Sequence, residues 1–112
     1  MRFYHDLFWS VSLREKKHKI IDNLKKNKVQ LNKYLVVLTN NEANHLEFFD
    51  SIVLKQNLPI QDDLFVVGVA DGYPRALEIV EKITREVYNQ TSGADIRSYL
   101  LTKQREFEEG NL

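Results

Sequence analysis

The chain has 112 residues, with 16 Lys and Arg against 16 Asp and Glu, so its formal net charge is zero. That length suits one domain, and 43% hydrophobic with 11% aromatic residues suits a folded core rather than disorder. There is no cysteine, which excludes a disulfide framework, a thiolate metal site, an iron–sulfur cluster and a cysteine nucleophile.

The first segment, Phe3 to Ser12, is aromatic-rich and roughly alternating. It reads as an extra strand or a short helix, because ten residues are too few for the period to decide. Asp6, Ser10 and Ser12 interrupt it, so it lacks the apolar stretch of a secretion signal. No run approaches the roughly 18 apolar residues of a membrane span. A soluble, cytoplasmic domain is the expectation.

A cationic helix follows from Leu13 to Lys26, with Leu13, Ile20, Ile21 and Leu24 as a narrow apolar stripe and Asn27-Lys28 as its end. Residues 1–34 hold nine basic and three acidic side chains, an excess of +6 that the remainder cancels. Segregation of this kind marks either a solvated helix face or an electrostatic footprint for a polyanion. Arg14, Lys16, Lys17, Lys19, Lys25 and Lys26 are the candidate nucleic-acid contacts. Against that, the charges surround the helix and no aromatic interleaves them to stack on bases.

Tyr34 to Thr39 and Leu64 to Ala70 are short, continuous, β-branched or aromatic runs. Such runs suit strands covered on both faces, as in a parallel sheet. Thr39-Asn40-Asn41-Glu42 supplies capping residues before a run with Leu46, Phe49, Ile52 and Val53, read as a helix. A loop spans Leu58 to Asp63. After the second strand, Asp71-Gly72-Tyr73-Pro74 opens the clearest helix, with Pro74 in its first turn and Ala76, Leu77, Val80, Ile83, Val87 and Tyr88 on its apolar side. Gly93 breaks it, Asp95 caps a C-terminal helix carrying Ile96, Tyr99 and Leu100, and the tail frays over 104–112.

The expected fold is a single α/β domain over 1–112: a two- or three-stranded parallel sheet with βαβ crossovers, covered by helices. So thin a sheet leaves a face or edge uncovered, and a homodimer is expected to close it. In such sheets ligands bind beyond the carboxyl ends of the strands. Thr39, Asn40, Asn41, Asp71 and Gly72 are therefore the candidate anion or nucleotide-phosphate site, with Asp71 for a metal or a ribose hydroxyl. The same residue types serve as caps and turns without any ligand, and neither a phosphate-loop nor a dinucleotide pattern is present.

Glu42 and His45 share a helical spacing, yet three scattered histidines do not make a metal site. Ser51 lies within the helical run, and no serine sits in a nucleophile elbow. Asp62-Asp63 falls in the loop before a strand. No catalytic set, cofactor or metal is called for, and the expected role is a non-enzymatic binding or assembly module.

Lys-Lys-His-Lys-Ile-Ile-Asp-Asn-Leu-Lys-Lys-Asn-Lys, Tyr-Leu-Val-Val-Leu-Thr-Asn-Asn-Glu and Leu-Phe-Val-Val-Gly-Val-Ala-Asp-Gly-Tyr-Pro-Arg-Ala-Leu-Glu-Ile-Val, together with the stretch from Glu86 to Leu100, resemble a family of small uncharacterised proteins from Gram-positive bacteria. The resemblance spans about Ser10 to Leu101 and rests on overall pattern. It implies an α/β domain and brings no activity, cofactor or site residue.

Overall fold

The computed structural model describes residues 1–39, 45–56 and 64–110. Four strands, β1 (Arg2–Trp9), β2 (Lys33–Leu38), β3 (Leu46–Asp50) and β4 (Phe65–Asp71), form one sheet in the order β1-β4-β2-β3. β1 and β4 run parallel, whereas β2 is antiparallel to both β4 and β3. The sheet is thus mixed and four-stranded, not a two- or three-stranded parallel one. A 3₁₀ segment, Val11–Lys16, leads into α1 (Lys17–Lys25); α2 (Tyr73–Thr91) and α3 (Ile96–Glu108) follow β4.

The opening segment is a strand that pairs with β4, and the cationic stretch divides into the 3₁₀ segment and a shorter helix. The run carrying Leu46, Phe49, Ile52 and Val53, read as a helix, instead contains β3, paired with β2 from Leu38↔Leu46 to Tyr34↔Asp50. The physical reason is hydrogen bonding. β2 has β4 on one side only, and its other row of backbone groups needs a partner. Ser51 then begins a second 3₁₀ segment, Ser51–Gln56, rather than lying within a helix. The Leu58–Asp63 loop, including Asp62 and Asp63, and Asn40, Asn41 and Glu42 lie outside the described residues.

Alternation along the central strands builds two cores. Val36, Phe65 and Val67 meet Ala76, Ile79, Ile83, Val87, Ile96 and Leu100 of α2 and α3. Leu35, Val37, Val66 and Val69 meet Leu13, Ile20 and Leu24 of the 3₁₀ segment and α1 on the opposite face. The alternation slips once. Val36 pairs with Gly68 and Val37 with Val66, so Val67 is an extra residue in β4. Gly68 consequently faces α2 as Val67 does, and an added Cβ there would lie 2.9 Å from Ile79 Cγ2. With both faces covered, the shortage of strands that argued for a homodimer does not arise.

The helix ends differ slightly from expectation. Pro74 lies in the first turn of α2 as its fixed φ favours, but the left-handed residue that closes α2 is Ser92 (φ 58°), one position before Gly93. Asp95 caps α3 by accepting from the Ser98 amide at 3.1 Å. This bond and that from the Ser98 hydroxyl hold the Asp95 carboxyl below the usual carboxylate range. The expected fraying from 104 is corrected too, since α3 continues to Glu108. Its last turns lie along the outer edge of β1, where the His5 amide donates to Gln104 Oε1 at 2.7 Å and the His5 ring stacks on Phe107.

Tyr4 is buried on the α2–α3 face of β1. Burial, followed by the nearby Tyr99, Glu86 and Asp6, raises its phenol well above the usual 10. A folded-state value above the unfolded one gives stability that is complete below about pH 10 and is lost as pH rises further. Tyr4→Phe is expected to lie within about 1.5 kcal/mol of the parent at pH 7, yet to lose less stability than the parent between pH 9 and pH 11. Urea melts at the three pH values check this; equal losses in both proteins would show that Tyr4 is not the alkaline trigger.

Candidate functional site

The parallel pair β1–β4 fixes the place for a site. From the end of β1 the chain turns to the face covered by α1, and from the end of β4 it turns to the opposite face, covered by α2. Adjacent parallel strands whose continuations diverge leave a crevice between them at their carboxyl ends. A crevice of about 500 Å³ is found there. Trp9, Ser10, Ser12 and Arg14 form one wall, and Arg75, Glu78, Ile79 and Lys82 of α2 form the other.

Hydrogen bonds hold the two strand ends together. The Ser10 amide donates to the Val69 carbonyl at 3.1 Å, and the buried Ser10 hydroxyl accepts from the Asp71 amide at 3.0 Å. The Ser12 hydroxyl donates to Asp71 Oδ2 at 3.0 Å, while Lys33 Nζ lies 3.7 Å from Asp71 Oδ1. Asp71 thus links the ends of β1 and β4 through Ser12 and lies beside Lys33. Gly72 follows at φ 101° and precedes α2 with no side-chain cap. That φ strains any L side chain, and a Cβ would lie 3.0 Å from Asn32 Nδ2.

Three cations, Arg14 on one wall and Arg75 and Lys82 on the other, line the crevice with one acid, Glu78. Glu78 forms a surface ion pair with Arg75, and Lys82 Nζ lies 5.9 Å from the centre of the Phe8 ring. The site thus combines two serine hydroxyls with a surplus of positive charge.

Of the residues expected from sequence, the structure brings Asp71 and Gly72 to this end and places Thr39 at the other. β2 is antiparallel to β4, with Lys33 opposite Asp71 and Leu38 opposite Phe65, so the carboxyl end of β2 is the far end of the sheet. There the Thr39 carbonyl accepts from Arg97 Nε at 2.9 Å and Nη2 at 2.6 Å. His45 Nδ1 accepts from the Arg97 amide at 3.2 Å, which makes it a cap for α3. Among the described residues no three His, Asp or Glu side chains could hold a metal ion.

No family model, curated protein or solved structure matches the chain. Its functional reading therefore rests on its own geometry.

Sequence reasoning missed Trp9, Ser10, Ser12, Arg75, Glu78 and Lys82. The signal available was Ser10-Val11-Ser12 directly after an aromatic strand; its value depends on β1 being parallel to β4. The candidate nucleic-acid residues Arg14 and Lys16 lie on the 3₁₀ segment, Lys17, Lys19 and Lys25 on α1 and Lys26 at its end, all exposed. The aromatic residues absent from that stretch of sequence come from β1: Lys17 lies over the Trp9 ring and Lys25 over the Phe3 ring, each 5.8 Å from the centroid. Among the described residues no helix is long and apolar enough to cross a membrane.

Proposed function

We propose that this protein is a binding module for a small phosphorylated ligand, held in the crevice between the ends of β1 and β4. The observation that carries this is the convergence of Arg14, Arg75 and Lys82 on a cleft at the divergence of two parallel strands. Two guanidinium groups can fork onto phosphate oxygens while an ammonium adds a point charge, and the Ser12 hydroxyl, whose proton goes to Asp71, can accept from an ester hydroxyl.

Inorganic phosphate and thymidine 5′-monophosphate are expected to raise the melting temperature, since a ligand at 100 times its Kd adds about 2.7 kcal/mol to stability. An Arg14→Ala, Arg75→Ala double variant is expected to fold as the parent does, because both side chains are exposed, and to bind at least tenfold more weakly in calorimetric titration. Binding unchanged in that variant, or no binding of either probe to the parent, would overturn the proposal.

A further inference from the structure

We infer that the crevice is one end of a longer track for single-stranded nucleic acid that wraps round the end of β1; this rests on the phosphate-binding function proposed above. Three concavities adjoin through shared residues. Arg14 and Lys82 line both the crevice and a second cleft of about 450 Å³ beside Phe8 and Trp9. Lys17 lines that second cleft and also a third hollow, with Lys19 and Lys25, on α1.

The cations therefore run from Arg75 and Lys82 on one face of the sheet, past Arg14 and Lys17, to Lys19 and Lys25 on the other. The acids along this path are Asp6, Asp22, Glu78 and Glu86. Three already have partners: Asp22 pairs with Lys26 at 2.9 Å, Glu78 pairs with Arg75, and Glu86 accepts from the Tyr99 hydroxyl. One phosphate cannot meet cations spread over two layers of a fold, whereas a chain of phosphates can. The turn selects the single strand, because duplex DNA is stiff over roughly 150 base pairs and a single strand follows such a corner freely.

The sole tryptophan stands at the corner. Lys17 Nζ lies over the Trp9 ring at 5.8 Å, so a phosphate that draws this ammonium away alters the indole environment, and a base can then stack there. Trp9 emission is accordingly a local reporter of occupancy at the middle of the track.

The test is a titration of the full chain with a thymidylate dodecamer, its monomer thymidine 5′-monophosphate, and a 12-base-pair duplex, followed by Trp9 emission and by anisotropy of labelled strands. The dodecamer is expected to bind at least tenfold tighter than the monomer and than the duplex. About five phosphate contacts on a single strand give a salt slope near −3.5, or roughly a hundredfold loss of affinity between 50 and 200 mM salt. Lys19→Glu with Lys25→Glu, both exposed positions, is expected to remove most of the dodecamer's advantage while leaving the monomer's affinity in place. A dodecamer no tighter than the monomer, a duplex that binds equally well, or a charge-reversed variant that binds like the parent would overturn the track and leave the crevice standing. No binding of monomer or dodecamer would overturn both.

Discussion

Leu100→Ala is expected to cost about 2–5 kcal/mol of stability, the range for deleting most of a fully buried leucine. Leu100 has no exposed surface and closes the core between α3, Ile83 and Val87. Since a domain of this size is held by roughly 5–15 kcal/mol in all, the variant should show a much lower urea midpoint and a fall in melting temperature of many degrees. Leu101, the next residue, is 39% exposed, and Leu101→Ala should cost well under half as much. Comparable losses for the two would mean that α3 does not pack on the sheet through the Leu100 face.

Gly68→Val carries the second large effect, for the opposite reason. The site has no room: even a bare Cβ would lie 2.9 Å from Ile79 Cγ2, 3.2 Å from the Phe8 carbonyl oxygen and 3.4 Å from Val36 Cβ. Two of these neighbours belong to strands on either side, so relief requires moving β1 or β2 as well as α2. Overpacking typically costs about 1–3 kcal/mol, and valine adds two further methyl groups. Ile79→Ala in the same chain should recover part of the loss of Gly68→Ala, because it clears the nearest atom; a strictly additive pair would show that Ile79 is not what Gly68 accommodates.

The contrast between what the sequence discloses and what it conceals has a physical basis. β2 and β4 are legible because both of their faces are buried, which leaves an unbroken apolar run. Burial on both faces says nothing of direction, and a central antiparallel strand such as β2 carries the same signature as a parallel one. The error in direction then moved Thr39 to the wrong end of the sheet, since the carboxyl-end rule applies only to strands that run together. β3 is concealed differently. Leu46, Phe49, Ile52 and Val53 fit a helical spacing, and five residues of an edge strand are too few for a period of two to compete. The extent of α2 is legible because nineteen residues give the period room to show, but its buried side is shifted from the expected one: Leu77 and Tyr88 are exposed and Ile79 is buried. The crevice was half legible: Asp71 and Gly72 lie in a readable turn, but Ser10, Ser12 and Arg75 meet there only through the pairing of β1 with β4, a contact between the two ends of the sheet's chain path that no local pattern records.

The Gln104 amide seated on the His5 backbone has a consequence for the protein's behaviour in a cell or a test tube. β1 is an outer strand, and an uncovered outer strand is a template on which another chain can add itself. The last two turns of α3 occupy that template with a side-chain carbonyl and the Phe107 ring. Proteolytic clipping near Thr102 would leave both central core layers largely intact while uncovering a row of unmet donors and acceptors beside Phe3 and Leu7. Such a clipped chain is expected to add further copies along β1 more readily than the intact chain does.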